Sequence, residues 1–268
     1  MVEFQRKDFY SYEDFLEIMR LLRAPGGCPW DREQTHGSIR RNFLEETYEV
    51  LDAIDRDDAS GMCEELGDVL MQVAFHAQIE AERGRFTMAD VVDGVARKLV
   101  YRHPHVFGDV QADTSQQVLA NWDVLKRREK GQRSTADAVE AVPHTLPALW
   151  RAEKIQSKTA KAGFDWTSSL QALDKLEEEV RELRAALESG QAADAPHGVR
   201  EELGDTLFMA AKIAQMSGVD PEDALHRACD KFDRRFRAVE EAADKPLSEC
   251  GEAELLALWN DAKSHDPS

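Results

Sequence analysis

A pattern of acidic residues occurs twice in this chain and constrains its fold more than any other feature. Each copy reads Glu-Glu-x-x-Glu, then a gap, then Glu-x-x-Asp, and each block lies in a run whose apolar spacing is typical of an α-helix. Residues three or four positions apart share a helix face, so each helix would carry two carboxylates side by side. The pattern therefore predicts two pairs of adjacent helices with four carboxylates per pair. These carboxylates are Glu46, Glu49, Glu65 and Asp68 in the first copy, and Glu179, Glu182, Glu202 and Asp205 in the second.

The chemistry of these residues favours a bound cation. Like charges on one helix face cost about 0.2–0.5 kcal/mol per pair in an isolated helix, and this chain repeats the arrangement on neighbouring helices. Carboxylate ligands without histidine or cysteine favour a hard ion, which predicts Mg²⁺, with Mn²⁺ as a substitute. A solvated acidic face is the alternative, and the duplication favours the metal site. Gly67 and Gly204 lie between the acids, where glycine costs about 1 kcal/mol relative to alanine, and they predict a close helix–helix approach at the site.

The repeat extends beyond the acids. A Lys-x-x-x-Arg pair follows each acidic block, and a Trp-x-x-x-Lys pair follows each Lys/Arg pair, at similar gaps. This order predicts two copies of one helical domain. The Lys/Arg pairs fit phosphate oxygens but are also a common surface pattern, whereas the tryptophans fit either a helix core or a contact with a nucleobase. The pairs are Lys98/Arg102 and Trp122/Lys126 in the first copy, and Lys231/Arg235 and Trp259/Lys263 in the second.

Helical periodicity covers nearly the whole chain and predicts an all-α fold. Ser11 with Asp14 and Thr87 with Asp90 have the spacing of capping boxes at helix starts. No stretch shows convincing strand alternation. Helices are predicted over residues 11–23, 38–56, 60–83, 87–103, 115–130, 146–162, 168–189, 198–217, 221–244 and 252–263.

The polar, alanine-rich stretch 131–144 contains helix-breaking glycine and proline residues and is the predicted linker. The predicted domains are therefore residues 1–130 and 145–268, two tandem helical bundles. A chain of 268 residues is long enough to give each bundle its own core.

The composition limits which binding partners and which cellular compartment we expect. The chain has 52 acidic and 34 basic residues and a net charge of −18, which argues against nucleic acid as the main partner. The four cysteines are scattered without zinc-binding spacing, as expected in a reducing cytosol. No signal peptide is visible and no run has the length of a membrane span, so we expect a cytoplasmic protein without a membrane segment.

Several motifs in fixed order resemble those of the MazG family of nucleoside triphosphate pyrophosphohydrolases. In the first half these are Cys-Pro-Trp-Asp at 28–31, Leu-Glu-Glu-Thr-Tyr-Glu at 44–49, Glu-Leu-Gly-Asp at 65–68 and Arg-His-Pro-His-Val-Phe at 102–107. The second half has Gly-Phe-Asp-Trp at 163–166, the same acidic blocks, and Lys-Phe-x-Arg-Arg-Phe at 231–236. The resemblance covers nearly the whole chain. It implies helical bundles that often form homodimers, and Mg²⁺-dependent hydrolysis of nucleoside triphosphates, such as ATP, to the monophosphate and pyrophosphate.

The resemblance also implies roles for individual residues and points to the second copy as the seat of catalysis. The family can place a lysine just ahead of the Glu-x-x-Asp block, where this chain has Arg200 instead. The metal ligands and catalytic residues of the second copy would be Glu179, Glu182, Glu202 and Asp205. The residues implied in substrate binding are Glu178, Arg200, Lys231, Arg234, Arg235, Trp259 and Lys263, with Lys98, Arg102, Trp122 and Lys126 at the corresponding positions of the first copy.

Two other classes of protein fit the same patterns. A non-catalytic helical protein that senses nucleotides or binds a partner would hold metal without turnover. A purely structural helical protein would show no metal dependence. Release of pyrophosphate from a nucleoside triphosphate in the presence of Mg²⁺ separates the enzyme from both.

Overall fold

The computed structural model describes residues 2–129, 131–190 and 192–266, and within these ranges the regular structure is entirely helical. The all-α prediction is therefore confirmed. A short 3₁₀ helix, Leu247–Glu249, precedes the last α-helix. The α-helices are α1 Tyr12–Arg23, α2 Pro29–Glu33, α3 Arg40–Asp55, α4 Ala59–Glu82, α5 Met88–Arg102, α6 Pro104–Phe107, α7 Ser115–Glu129, α8 Thr135–Glu140, α9 Ala148–Ala160, α10 Ser169–Ser189, α11 Val199–Met216, α12 Pro221–Ala242 and α13 Glu252–His265.

Side-chain caps fix where several of these helices begin. At α1 and α5 the predicted capping boxes form, because Ser11 and Thr87 each accept from the backbone N–H three residues later while Asp14 and Asp90 reach back to the cap. Asp220 caps α12 by accepting from the backbone N–H groups of Glu222 and Asp223, ahead of a proline at the first helical position. Such caps satisfy backbone donors that the helix itself leaves unpaired.

The chain divides into two compact units, with the division between Leu125 and Lys126. In the first unit α3 packs along α4, and α1 packs on the C-terminal part of α4. A buried apolar cluster there includes Met19, Phe75 and Ile79. In the second unit α10 packs along α11, α11 along α9, and α12 along α13. Each unit thus holds one pair of adjacent helices that carries the acidic blocks.

Three short helices, α2, α6 and α8, are absent from the sequence prediction because they are shorter than the window over which periodicity is visible. The most consequential is α8, which lies inside the predicted linker 131–144. It begins with a capping box formed by Ser134 and Asp137, buries Ala138, and packs against α9. In the structure this stretch is therefore a packed helical segment of the second unit.

The prediction of a close helix approach at the two glycines between the acids is wrong. A Cβ atom added at Gly67 or Gly204 would have no heavy atom within 4 Å. Both positions face open space, so helix packing within the chain gives no reason for glycine there. None of the described helices combines the length and the apolar character that crossing a membrane requires.

Candidate active site

The first acidic cluster forms where α3 lies against α4. Carboxylate oxygens of Glu46, Glu49 and Glu65 all lie within 4.8 Å of one another. Asp68 lies one turn further along α4 and is close enough to raise the pKa of both Glu46 and Glu65. The structure thus brings three of the four predicted acids of the first copy together, with Asp68 beside them.

Burial and mutual repulsion control the charge of this cluster. Burial raises the pKa of Glu46, and the charges of Asp68 and Glu49 raise it further, while a hydrogen bond from Gln72 opposes the shift. Loss of solvent around Glu65 likewise raises its pKa, followed by the charges of Glu49 and Asp68. Among the described residues, no basic side chain opposes the rise in the pKa of Glu46 or of Glu65.

The second acidic cluster forms where α10 lies against α11. Oxygens of Glu179, Glu202 and Asp205 lie within 4.8 Å of one another. Glu179 and Glu202 are only 6% and 4% exposed, an unusual burial for carboxylates, whereas Asp205 is exposed. Glu182 lies outside this group of three but near it: partial desolvation and then the charges of Glu179 and Glu202 raise its pKa, although Lys175 opposes the shift.

A lysine missed by the sequence analysis compensates this second cluster. Lys175 Nζ lies 2.7 Å from Glu178 Oε1 and 2.8 Å from Glu179 Oε1. These contacts hold the pKa of Lys175 above its usual range, so the side chain stays an ammonium. The signal was present in the sequence, because Lys175 lies four residues before Glu179 on the same helix face. The corresponding residue of the first copy, four before Glu46, is Asn42.

Two further basic residues lie beside the second cluster. His197 Nδ1 lies 3.5 Å from Glu202 Oε1, although the ring is largely exposed. Arg200, the predicted replacement for a lysine of the family, forms an exposed ion pair with Asp194 in the preceding loop. Arg200 is therefore at the edge of the site and is engaged with another carboxylate in this structure.

The basic and aromatic residues of the second copy meet between α12 and α13. Arg235 Nε donates to Asp266 Oδ2 at 2.8 Å. The Phe232 and Trp259 ring centroids are 5.2 Å apart, and Phe232 is 57% exposed, so an aromatic surface is open to solvent beside the arginine. Lys231 and Lys263 are both exposed. Cations and an open aromatic face on one helix pair are what a nucleotide requires.

The corresponding residues of the first copy are packed differently. Arg102 is only 8% exposed, and its guanidinium lies 5.8 Å from the centre of the Trp122 ring. His103 meets the same ring edge-on at 5.0 Å, and its Nδ1 lies 2.6 Å from the carbonyl oxygen of Leu99, so it caps the end of α5. Lys98 is exposed and Lys126 is half-buried. The arginine and tryptophan of this copy are therefore engaged with each other.

The first copy also contains a polar network around the buried carboxylate of Glu80, which the sequence did not reveal. His36 Nε2 lies 2.5 Å from Glu80 Oε1, and His36 Nδ1 lies 2.7 Å from His76 Nδ1. Since a carboxylate accepts, Nε2 of His36 carries the proton, and in neutral His36 the Nδ1 accepts from His76. Arg83 and Arg85 also pair with Glu80. The second copy has Ile213 and Ser217 at the positions of His76 and Glu80, so the network belongs to one copy alone.

The donor set of both clusters fits a hard divalent cation. All the donors are carboxylate oxygens, and Mg²⁺ is bound through such groups with water in its remaining coordination positions. Buried Glu179 and Glu202 provide the second argument, because carboxylates removed from water need a partner cation. A Mg²⁺-sized ion within either cluster would be held by groups from two different helices.

Fold and clusters together define an all-α protein with a duplicated, carboxylate-lined cation site on paired helices. Sequence comparison identifies the group more closely. The MazG nucleotide pyrophosphohydrolase domain matches twice, at residues 34–107 and 167–239. Each match contains one acid quartet and one Lys/Arg pair. The chain belongs to the MazG family, as its motifs predicted.

Curated relatives agree with this assignment along most of the chain. A protein of Escherichia coli K12 named nucleoside triphosphate pyrophosphohydrolase is 47% identical over 84% of this chain and 85% of its own length. A Thermotoga maritima protein named nucleoside triphosphate pyrophosphohydrolase/pyrophosphatase MazG is 42% identical over 95% of this chain and 96% of its own length. Bacillus subtilis YabN, named an uncharacterized protein, is 44% identical over 95% of this chain and 52% of its own length.

Proposed function

We propose that this chain hydrolyses nucleoside triphosphates to the monophosphate and pyrophosphate, with Mg²⁺ held by the second acidic cluster. The observation that carries the proposal is the meeting of Glu179, Glu202 and Asp205 within 4.8 Å, with two of the three carboxylates buried. Relatives named for this activity span most of the chain and support the reaction class. Mn²⁺ would substitute for Mg²⁺ in the same all-oxygen site.

In this reaction a water oxygen attacks the α-phosphorus, the bond from that phosphorus to the bridging oxygen breaks, and pyrophosphate leaves. Bound Mg²⁺ supplies charge neutralisation at the phosphates and lowers the pKa of the attacking water. A carboxylate of the quartet accepts the proton that the water loses. The burial of Glu179 and Glu202 limits competing solvent and strengthens the electrostatic interactions in the site.

Substrate binding in this proposal uses the residues between α12 and α13. Arg234 and Arg235 bind phosphate oxygens through their planar guanidiniums, and Lys231 and Lys263 add mobile positive charge. Phe232 and Trp259 offer the aromatic face for the base. Arg200 in the first turn of α11 and Lys175 on α10, which pairs with Glu178, add positive charge near the phosphates.

We assign catalysis to the second copy because its arginine is less buried and an exposed phenylalanine lies beside its tryptophan. Arg102 of the first copy is buried against Trp122, whereas Phe232 remains 57% exposed beside Trp259. The first quartet, with Lys98 and Lys126, would bind an ion and at most a loosely held nucleotide. The two domains of the proposal are residues 1–130 and 145–268, each with four acids of the repeated pattern, and the stretch 131–144 between them carries α8, which packs on the second domain.

In this proposal the protein is a homodimer in the cytoplasm, and nucleic acid is not its main partner. Val91, Val95 and Leu99 form an exposed apolar stripe at four-residue spacing along α5, and Leu203 and Leu207 do so on α11. Exposed apolar stripes of this kind are typical of helices that pack against a partner. All four cysteines are free, as expected in a reducing compartment. The net charge of −18 disfavours binding to a polyanion.

The test compares two matched variants, Glu202→Gln and Glu65→Gln, which remove one charge from the same position of each copy. We expect Glu202→Gln to lose at least about a hundredfold in turnover, as for other residues that stabilise a transition state electrostatically, whereas Glu65→Gln should retain most of it. Pyrophosphate release from a panel of nucleoside triphosphates is measured with Mg²⁺ and with chelator, and circular dichroism checks helical content. Near-normal release by folded Glu202→Gln protein would reject this site. Nucleotide binding without pyrophosphate release by the unaltered protein would favour a nucleotide sensor.

A further inference from the structure

A buried carboxylate at the end of α13 holds the arginine pair of the second copy. Asp266 follows α13 directly, and its side chain is only 6% exposed. Arg235 Nε donates to Asp266 Oδ2 at 2.8 Å, and Arg234 Nε lies 3.4 Å from Oδ1. The guanidinium-bearing side chains are more exposed, at 20% for Arg235 and 55% for Arg234. Asp266 therefore contacts both arginines from their buried side.

These contacts use the Nε atom of each arginine and not its two terminal nitrogens. Asp266 engages the Nε–H of Arg235, while the N–H groups of the two terminal nitrogens remain to form a fork toward another anion. Arg235 belongs to α12, whereas Asp266 follows the helix that carries Trp259 and Lys263. The contact thus fixes a cation of one helix relative to the aromatic ring and the lysine of the next.

We propose that Asp266 is a positioning residue that orients the Arg235 guanidinium, and with it Arg234, to receive the phosphate oxygens of the substrate. This inference rests on the proposed function, in which these arginines bind the triphosphate. An arginine that is free in solution must give up many side-chain conformations when it binds a ligand. Holding the guanidinium in place beforehand removes much of that cost, which strengthens binding without adding a contact to the substrate.

The internal repeat supports this role. Asp266 lies seven residues after Trp259, and Glu129 lies seven residues after Trp122 at the end of α7. Each copy therefore places a carboxylic acid two helical turns after the tryptophan, although the preceding residues differ. An acid at this spacing in both copies is what a shared contact with the helix of the Lys/Arg pair predicts.

The experiment measures steady-state kinetics of pyrophosphate release for Asp266→Ala, for Asp266→Glu and for the more shape-conserving Asp266→Asn. We expect Asp266→Ala to raise KM about tenfold, the effect of losing one charge-assisted hydrogen bond, with kcat within about twofold of the unaltered protein because Asp266 contacts no reacting atom. Asp266→Glu should restore most of the affinity. Asp261→Asn is the matched control, since Asp261 lies on α13 shortly before Asp266, is exposed, and forms its ion pair with His265.

A double variant tests whether the effect passes through the arginine. If Asp266 acts by orienting Arg235, then Asp266→Ala should add less than about a twofold change in KM to that of Arg235→Ala. Full additivity, or an unchanged KM in Asp266→Ala and Asp266→Asn, would overturn the proposal. A lowered KM would overturn it too, because it would mean that Asp266 shields the arginines from substrate.

The same variants separate this inference from the proposed function. Dissociation constants for a triphosphate with a non-hydrolysable α,β-methylene bridge are measured in parallel. If the unaltered protein releases no pyrophosphate, the proposed function fails, and an Asp266→Ala protein that binds this analogue about tenfold more weakly still supports positioning. Equal dissociation constants would reject positioning whatever the catalytic result.

Discussion

Replacing Lys175 with methionine should destabilise the second unit in the absence of metal. The ammonium lies within 2.8 Å of both Glu178 and Glu179, and the Glu179 side chain is only 8% exposed. Removing one partner from a buried ion pair costs about 3–5 kcal/mol, whereas an exposed pair contributes about 0.2–1 kcal/mol. Because Lys175 is itself 34% exposed, we expect an intermediate cost of about 1–3 kcal/mol.

Saturating Mg²⁺ should remove most of that cost. An ion bound by the quartet supplies the positive charge that Lys175 supplies in its absence, so the variant and the unaltered protein should then differ by less than about 1 kcal/mol. Competition between the ammonium and the ion has a second effect. By the reciprocity of linked equilibria, the variant should bind Mg²⁺ about fivefold more tightly or better.

Native-state amide exchange resolved by peptide is the suitable assay, because it reports α10 and α11 separately from the first unit. Lys245→Met is the control, since Lys245 pairs with Glu254 at 2.9 Å in the same unit but both side chains are more than 40% exposed. We expect that control to lose less than about 1 kcal/mol, with or without Mg²⁺. If Lys175→Met costs no more than Lys245→Met in chelator, or if Mg²⁺ leaves its cost unchanged, Lys175 does not compensate the cluster as described.

Two other outcomes follow from the site geometry. Mg²⁺ at about a hundred times its dissociation constant should stabilise each unit by about 2.7 kcal/mol, or roughly 5–10 °C in Tm. Glu202→Gln should reduce this rise in Tm for the second unit, and Glu65→Gln should reduce it for the first. Identical melting curves in chelator and in Mg²⁺ would contradict both metal sites. Burial and then the charge of His36 lower the pKa of His76, so the unfolded chain binds more protons as the pH falls below about 6.5 and the first unit loses stability there. His76→Gln should flatten that loss in denaturant titrations at a series of pH values, and an unchanged pH profile would exclude His76 as its source.

The sequence predicted the helices and the quartets well because both depend on local spacing. Long amphipathic runs and capping residues such as Ser11 and Thr87 determine helix starts within one turn. Carboxylates three or four residues apart share a face wherever a helix forms, so Glu179 and Glu202 needed only the pairing of α10 with α11 to meet. Family motifs then gave the same residues a common chemical role.

What the sequence could not predict depends on contacts between distant positions. His36 and His76 are 40 residues apart, and nothing in their spacing indicates that they meet in a hydrogen-bonded chain with Glu80. The close helix approach predicted at Gly67 is wrong for a related physical reason. The free-energy cost of glycine in a helix does not by itself indicate that another helix lies close to it. Whether an arginine is buried like Arg102 or partly open like Arg235 also follows from tertiary packing alone.

The second copy has Lys175 where the first copy has Asn42, and this difference affects how each copy binds an ion. A cluster that carries its own ammonium has less negative charge to balance when it loses an ion, whereas a cluster without one must retain an ion or take up protons. We therefore expect four shared carboxylates with different neighbours to give the two copies different residence times for the same metal. We expect the second copy to exchange its ion during turnover, while the first keeps its ion as a lasting part of the folded chain.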